Sequence, residues 1–238
     1  MTKSIESNQL SSTRLASYTG ARADIYGLVP MDAKNIIDLG CSDGSLGAAL
    51  KAQVPGRVVK GLEYSTRLAD LAQTRLDQVV QVDLNQATAL DALTGQLFDC
   101  AICADVLEHL HQPEQLLRLL RPLLSPSACL IVSLPNIRHI SALYSIFVNG
   151  SFPRRQRGIF DDTHWRWFTL KDGRDLLAEA GFQIEKVDHS LRWGDQGGGR
   201  ANKILIRTLG PFAHRLPFVN EFLTYQFAMR ARLNGAAT

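Results

Sequence analysis

The chain has 238 residues, of which 45% are apolar and 21% charged, and its formal net charge is +3. This composition is that of a globular domain, and so small a net charge does not suggest a nucleic-acid-binding protein. No apolar run approaches the ~20 residues of a membrane-spanning helix, and four cysteines are too few for a disulfide framework, which favours the reducing cytoplasm. Residues 1–18 are polar and lack the apolar core of a secretory signal, and we expect residues 1–30 to form a partly helical or disordered N-terminal extension.

From residue 34 the apolar pattern alternates between strands and helices. Strands are predicted at 34–39, 57–63, 79–82, 98–104 and 128–134, and helices at 45–53, 66–78 and 113–123. Strands separated by helices of this length imply right-handed crossovers and a parallel sheet. The sequence therefore predicts one α/β domain over residues 31–238.

The alternation breaks after residue 136. Residues 138–168 form an insertion that begins with an apolar stretch and continues with many basic and aromatic residues, which is typical of a lid or substrate-binding element. A helix at 171–180, with Thr169 as N-cap and Gly181 as C-cap, is followed by a strand at 182–188. A flexible joint at 197–199, a helix near 203–209 and a last strand at 222–230 complete the chain.

The segment IIDLGCSDGSLGAAL, residues 36–50, is the most informative stretch. An apolar run ends at Asp38, and Gly40, Gly44 and Gly47 lead into an apolar helical pattern. Glycine permits the backbone angles of a tight turn and a close approach of a ligand to the main chain. This pattern indicates a strand that turns into a helix over a nucleotide-like ligand.

Small or polar residues follow the carboxyl ends of the other predicted strands. They are Glu63, Asp83, Ala104, Asp105 and Asn136. Ligands of open α/β sheets bind outside these ends. Glu63 comes nineteen residues after Gly44, where an acid can accept hydrogen bonds from a ribose diol. Asp83 could accept from an adenine amino group, with Tyr64 and Leu84 as apolar walls.

Charge helps to distinguish between adenosyl ligands. Asp38 and Asp43 flank the glycine loop, where they would repel a pyrophosphate and attract a cationic sulfonium. Ser42 also stands where the second glycine of G-x-G-x-x-G would be. A nicotinamide dinucleotide is therefore disfavoured, although it is not excluded at this point.

With these residues, the chain resembles a class I S-adenosylmethionine-dependent methyltransferase over residues 30–190. The matching motifs are DLGCSDG at 38–44, GLE at 61–63, VDL at 82–84, FDCAICADVLEHL at 98–110, SLPN at 133–136 and AGF at 180–182. Within that superfamily it is similar to small-molecule methyltransferases found among bacterial cell-surface polysaccharide genes. That similarity rests on GIFDDTHWRWFT at 158–169 and FLTYQFAMRARL at 222–233.

The resemblance implies a Rossmann-like, seven-stranded, mostly parallel sheet with an antiparallel final strand, helices on both faces and a lid-like insertion after the fifth strand. It implies S-adenosylmethionine as cofactor and S-adenosylhomocysteine as product. The implied cofactor-binding residues are Asp38, Gly40, Ser42, Gly44, Glu63, Tyr64, Asp83, Leu84, Ala104 and Asp105. In this scheme Asp38 orients the loop, and Ser42 replaces a common glycine, which is tolerable if its backbone angle is ordinary.

Two groups are candidates for the base that a hydroxyl acceptor would need. Methyl transfer from a sulfonium is an in-line displacement that chiefly requires alignment and exclusion of water, and a base helps if the acceptor is a hydroxyl. His109 is the first candidate; alternatively it caps a turn or pairs with Glu108. His164 is the second, with Asp161 three residues earlier to orient its ring. Alternatively Asp161 caps a helix and His164 packs among aromatic residues; no metal is expected.

Tyr18, Arg22 and Asn136 are the candidates for binding the acceptor. Tyr18 and Arg22 precede the domain, where related folds close a helix over the cofactor, but a surface helix is the alternative. The last 89 residues carry 14 basic and 9 acidic side chains, which could favour an anionic or sugar-linked acceptor; the alternative is a solvated helix surface. Cys100 and Cys103 lie three apart in a strand, so they point to opposite faces and cannot form a disulfide.

The leading prediction is therefore a methyltransferase that O-methylates a sugar or similar small molecule. A short-chain dehydrogenase would require Tyr-x-x-x-Lys, and no tyrosine here has a lysine four residues later. A third possibility is a non-catalytic partner subunit that keeps the cofactor fold. We expect no nucleic-acid partner, because no basic stripe with interleaved aromatics runs along the core fold.

Overall fold

The computed structural model describes residues 22–194, 199, 203–204, 207–208 and 217–235. These residues form one seven-stranded sheet. Its strands are β1 (Asn35–Leu39), β2 (Val58–Glu63), β3 (Gln78–Gln81), β4 (Phe98–Ala104), β5 (Leu124–Pro135), β6 (Phe182–Leu191) and β7 (Thr224–Leu233). The order is β3-β2-β1-β4-β5-β7-β6, with β7 antiparallel to both of its neighbours and the other pairs parallel. The predicted mostly parallel sheet is confirmed.

Helices cover both faces of this sheet. They are α1 (Ala23–Tyr26), α2 (Ser45–Gln53), α3 (Thr66–Gln73), α4 (Pro113–Leu120), α5 (Ile140–Leu143), α6 (Leu170–Glu179) and α7 (Pro217–Leu223). Residues of α4 and α6 pack in one apolar cluster, and residues of α1, α2 and α3 in a second cluster. Cys103 belongs to the first cluster and Cys100 to the second, so the predicted opposite orientation of these two cysteines is confirmed.

The predicted boundaries are closest where local signals are strong. Helix α2 and strand β4 have the predicted bounds, and Thr169 caps α6 in a capping box with Asp172. The structure ends α3 at Gln73, five residues before the predicted end, because the chain there must supply β3. Strand β5 starts four residues earlier than predicted, since Leu124 pairs with Phe98. The final strand starts two residues later, because α7 runs to Leu223.

Three further predictions fall largely or wholly on residues that the structure does not describe. Of the predicted joint at 197–199 only residue 199 is described, and of the predicted helix near 203–209 only 203–204 and 207–208, which are helical. Tyr18 lies outside the described residues. Among the helices that the structure describes, none has the length and apolar character needed to cross a bilayer.

The described end of the N-terminal extension packs against the domain. Ile25 and Leu28 are fully buried in the second apolar cluster, together with Val29. Residues 22–30 thus share the core of the sheet, and the division at residue 30 stays a prediction.

The insertion at 138–168 begins and ends at the carboxyl edge of the sheet. Asn136, directly after β5, forms a β-bridge with Phe168. Helix α5 continues as a π-helical turn over Tyr144–Val148, and the chain then returns through an irregular segment. Ala142, Ile159 and Phe160 pack with Tyr225 of β7 in a third apolar cluster, which fixes the insertion on the domain.

Candidate active site

The loop between β1 and α2 is held against its neighbours by its backbone. The amides of Gly40 and Cys41 donate to the Leu62 carbonyl at 2.8 and 3.0 Å. Gly40 has a φ of 74°, and a Cβ there would lie 2.5 Å from Cγ2 of Val106, just beyond β4. Glycine is required at this position because the loops after β1 and β4 touch.

Ser42 does not meet the condition set for it, an ordinary backbone angle. Its φ is 51°, in the left-handed region, which costs a non-glycine residue about 1–2 kcal/mol. The Ser42 amide donates to Oε2 of Glu63 at 2.9 Å, a hydrogen bond to a charged group that offsets this cost. The serine therefore keeps a glycine-like conformation through a contact with the end of β2.

Glu63 has the geometry of a ligand-binding carboxylate. Its side chain is 8% exposed, and Oε1 accepts the Ser65 amide at 2.8 Å while Oε2 accepts Ser42. Burial raises the pKa of Glu63, and these amides oppose the shift. Each oxygen has further acceptor capacity for a ligand hydroxyl. The residue thus fits the expected contact with a ribose diol.

The two loop carboxylates differ in environment. Burial and the neighbouring Glu63 raise the pKa of Asp38 to about 7, although Arg22 opposes the shift. Asp43 pairs with Arg75, whose Nη1 lies 2.5 Å from Oδ2. Burial raises the pKa of Asp43, but the hydrogen bonds from Arg75 and Ser45 outweigh burial and hold this pKa below its usual value. The charge argument from the sequence therefore rests on Asp38, because Arg75 neutralises Asp43.

The predicted adenine contacts lie at the same edge of the sheet. The Val82 amide donates to the Glu63 carbonyl at 2.9 Å, which brings the end of β3 beside the end of β2. Asp83 is half-buried, and its Oδ1 accepts the Asn85 amide at 2.9 Å. Tyr64 is 52% exposed, and Leu84 packs partly against the first cluster. Their contact with adenine remains a prediction.

Asp105 is the centre of a polar network beyond β4. Arg22 Nη1 lies 2.5 Å from Asp105 Oδ2, and Arg22 Nη2 donates to the Ser133 hydroxyl at 2.8 Å. Ser133 in turn donates to Asp105 Oδ1 at 2.9 Å, and the Gln226 amide donates to both. Burial lowers the pKa of Arg22, but the carboxylates of Asp105 and Asp24 outweigh burial and raise this pKa above its ordinary value. Ala104, directly before this network, is half-buried.

Sequence reasoning missed Ser133 and Gln226. Both are polar residues near the carboxyl-end edge of the sheet, in strands that are otherwise mostly apolar. A polar residue inside an apolar strand was the available signal for Ser133. No local signal could have brought Gln226 to Asp105, because that contact depends on β7 lying between β5 and β6.

The insertion brings a second histidine to His109. The rings of His109 and His164 meet edge to face, with 4.7 Å between centroids. Nδ1 of His109 lies 3.3 Å from the Thr163 carbonyl and 3.0 Å from the Thr163 hydroxyl. A carbonyl can only accept, so Nδ1 carries the proton and the lone pair lies on Nε2. His109 is therefore oriented as a base.

Asp161 contacts Thr163 through both of that residue's donors. Its Oδ1 accepts the Thr163 amide at 2.9 Å and the Thr163 hydroxyl at 2.6 Å. Since the hydroxyl proton points at Asp161, the Thr163 oxygen accepts from His109. The predicted carboxylate, Asp161, thus lies in the histidine group. It is connected to His109 through Thr163, a residue that sequence reasoning missed.

His164 is 6% exposed, and its Nδ1 lies 3.2 Å from the Ile159 carbonyl. Burial, reinforced by His109, lowers the pKa of His164 to about 4. The ring is therefore neutral near pH 7 and holds its lone pair on Nε2.

Glu108 completes this group. It is 1% exposed, and among the described residues its Oε2 has no hydrogen-bond partner. Burial and the nearby Asp105 raise its pKa well above the ordinary value. One donor atom from each of Glu108, His109 and His164 lies within 4.8 Å of the others. Two imidazoles and a carboxylate form a donor set that suits a divalent cation.

Asn136, predicted to bind the acceptor, is fully buried and holds the chain together. Its Nδ2 donates to the Glu221 and Thr224 carbonyls, both at 2.8 Å. Its Oδ1 accepts the Arg138 amide at 3.0 Å. These contacts join the start of the insertion to α7 and β7, and a contact with the acceptor stays a prediction.

A family model described as a methyltransferase domain matches residues 17–187, which is more than half of the chain. The chain belongs to this family of methyltransferase domains. The matched residues include the motifs quoted above, from the loop after β1 to the start of β6. The assignment to the S-adenosylmethionine-dependent methyltransferases is thereby confirmed at the level of the family.

Curated relatives include the ubiquinone biosynthesis O-methyltransferase of Coxiella burnetii, 31% identical over 121 residues that make up 50% of each chain. The enzyme of the same description from Paraburkholderia xenovorans is 30% identical over 142 residues, 58% of this chain and 57% of that one. The methyltransferase thus matches these relatives over about half of their length. They are not polysaccharide-pathway enzymes, to which the sequence resemblance had pointed.

Solved structures support the fold. A S-adenosylmethionine-dependent methyltransferase from Archaeoglobus fulgidus superposes with a TM-score of 0.63 at 18% identity, over 92% of this chain and 94% of that one. A magnesium protoporphyrin IX methyltransferase from Synechocystis with bound S-adenosylhomocysteine gives 0.58 at 19% identity, over 95% and 89%. The predicted Rossmann-like methyltransferase fold is confirmed.

Proposed function

We propose that this protein transfers a methyl group from S-adenosylmethionine to a hydroxyl of a small-molecule acceptor. One observation carries the proposal. His109, just beyond β4, donates from Nδ1 to the Thr163 carbonyl at 3.3 Å and so presents a basic Nε2 at the sheet edge that carries Gly40 and Glu63. A methyltransferase domain with a base at this edge is suited to O-methylation.

The cofactor would be held by the loops at the carboxyl ends of β1, β2 and β3. Glu63 would accept its ribose hydroxyls, and the close backbone approach at Gly40 would admit its amino acid portion. Asp38, when ionised, would supply negative charge near its cationic end. Asp105, paired with Arg22, would lie beside its methionine portion, and Asp83 would lie at its adenine. When bound, the cofactor supplies an electrophilic methyl group on a sulfonium.

The chain's own residues would then orient the acceptor and take its proton. His109 would accept the hydroxyl proton on Nε2, while Thr163, itself fixed by Asp161, holds the ring. His164 is neutral near pH 7 and buried, so it would help to exclude water from the reacting atoms. Arg22, which reaches Asp105 from the N-terminal side, would close this end of the site.

Two acceptor classes have support. The curated relatives are named for ubiquinone biosynthesis, which favours a phenolic hydroxyl. The resemblance of residues 158–169 to methyltransferases of polysaccharide pathways favours a sugar hydroxyl, which the same base would deprotonate. The four cysteines are free and buried, which supports a cytoplasmic location. The non-catalytic and oxidoreductase alternatives have no comparable support.

The test begins with calorimetric titration of the full chain with S-adenosylmethionine, S-adenosylhomocysteine and NADH. We expect both adenosyl amino acids to bind and Glu63→Ala to weaken them at least about tenfold, through the loss of charge-assisted hydrogen bonds. Binding of NADH alone would overturn the proposal.

Transfer of labelled methyl to catechol and to methyl glucoside then distinguishes the acceptor classes. His109→Ala should lower kcat by about 10²–10⁴ and retain cofactor binding. The matched control is His111→Ala, which removes an exposed histidine whose ring contacts Trp165 and is not part of the group formed by Glu108, His109 and His164. Equal loss in both variants would exclude His109 as the base.

A further inference from the structure

The helical part of the insertion exposes apolar side chains. Over α5 and the π-helical turn, the exposed fractions are 39% for Ile140, 57% for Tyr144, 79% for Phe147 and 66% for Val148. Spacings of four, three and one residue place these side chains on one side of a helix. We call these four residues the outer face. Helices of globular proteins normally turn such a stripe toward the core.

The opposite side of the same helix already anchors it. Ala142 is fully buried and Ser145 is 7% exposed. The Ser145 hydroxyl donates to the Ser151 carbonyl at 3.0 Å, and the Ser151 amide donates to the Ser145 carbonyl at 2.9 Å. The next residue, Phe152, is 49% exposed and packs edge to face against Phe160 and Trp167. The outer face is therefore not needed to hold the insertion on the domain.

The insertion carries a net positive charge. Residues 138–168 contain five arginines and two acidic residues, Asp161 and Asp162, and one of the arginines, Arg138, pairs with Glu221 of α7. Arg154, Arg155 and Arg157 are exposed. Exposed aromatic and aliphatic side chains next to arginines are the features of helices that lie in the interface of an anionic bilayer.

We propose that the outer face docks the protein on an anionic lipid membrane. The helical segment has nine residues, far fewer than the ~20 of a spanning helix, so it would lie along the surface and not span the bilayer. Phe147 and Val148 would enter the acyl boundary, and the arginines would meet lipid phosphates. This surface binding does not depend on which acceptor is methylated.

The position of the insertion gives docking a consequence for the site. The amides of Trp165 and Arg166 donate to the Glu108 carbonyl at 2.9 and 3.2 Å, next to His109. The same 138–168 segment thus carries the outer face at one end and contacts the histidine cluster at the other. A docked protein would hold the mouth of the site near the membrane surface, where an amphiphilic acceptor concentrates.

The experiment is cosedimentation of the full chain with vesicles. Equimolar phosphatidylglycerol and phosphatidylcholine should bind the protein at least about tenfold more tightly than phosphatidylcholine alone, and added salt should weaken that binding. Phe147→Ser/Val148→Ser should lower binding to the anionic vesicles at least about tenfold. Met31→Ser/Leu97→Ser removes apolar side chains that are 59% and 58% exposed elsewhere, and it should bind as the wild type does.

Several results would overturn the proposal. These are absence of binding to the anionic vesicles, equal binding of both lipid compositions, or equal binding by the Phe147/Val148 variant. Sedimentation velocity without lipid provides a further test. If the wild type is a dimer that this variant dissociates, a second copy of the chain covers the outer face instead. Thermal melting of the variants checks that they stay folded.

Discussion

Arg22 and Asp105 form an ion pair across the candidate site, with 2.5 Å between Nη1 and Oδ2. Both residues have left-handed backbone angles, with φ of 40° for Arg22 and 59° for Asp105. Such angles are costly for side chains other than glycine, so the surrounding contacts must stabilise them. The pair joins the described N-terminal end of the chain to the loop after β4.

Removal of this guanidinium should destabilise the protein. Arg22→Ala leaves Asp105 without its cationic partner and is expected to lower the free energy of unfolding by about 1–3 kcal/mol. Urea denaturation measures the change. Arg22→Lys should recover only part of it, because an ammonium cannot span Asp105 and Ser133 as the planar fork does. The exposed Arg67→Ala is the control, and an equal effect there would contradict the prediction.

Gly40 should tolerate a methyl group far less well than Gly56. Both have positive φ, but a Cβ on Gly40 meets Val106 at 2.5 Å and one on Gly56 meets nothing within 4 Å. Gly56→Ala should therefore cost only the backbone strain, about 1–2 kcal/mol. Gly40→Ala should cost about 1–3 kcal/mol more, since a stiff, buried valine must move. Denaturation of both variants gives the comparison, and equal costs would exclude the close approach.

Stability should respond to pH through Asp38. Burial raises its pKa to about 7 in the folded state, above the ordinary value of 3.8, so the folded chain binds the extra proton between these pH values. This extra proton stabilises the folded state fully below about pH 4. The stabilisation is lost as the pH rises through 7, and the free energy of unfolding falls by up to about 1.4 kcal/mol per pH unit. Asp38→Asn lacks this titration. We expect the wild type to lose stability relative to the variant between pH 4 and 8, and parallel curves would contradict the assignment.

The capping box of α6 should be worth about 1 kcal/mol. The Thr169 hydroxyl accepts the Asp172 amide at 3.2 Å, and Asp172 accepts the Thr169 amide at 3.0 Å. Thr169→Ala removes one half of this exchange, so the free energy of unfolding should fall by about 0.5–2 kcal/mol. Arg174→Ala, exposed on the same helix, should change it by less than about 0.5 kcal/mol. Chemical denaturation distinguishes the two.

The sequence by itself determined the order of strands and helices along the chain and the polar residues that follow the carboxyl ends of the strands. Helix α2 and strand β4 follow from local apolar periodicity, and the glycine loop between β1 and α2 follows from residues adjacent in the chain. Glu63 and Asp105 could be placed at one edge because parallel strands present their carboxyl ends together. Helix α7 has no comparably clear pattern, and the predicted final strand, 222–230, began inside it.

Only the tertiary structure decided which side chains meet. His109 and His164 are 55 positions apart, and the path of the insertion brings their rings together. The same path brings Thr163 to His109, and the position of β7 brings Gln226 to Asp105. The left-handed angle of Ser42 is stabilised by Glu63 on another strand. Periodicity reports on neighbours along the chain, whereas these contacts depend on how separate loops pack over the same edge of the sheet.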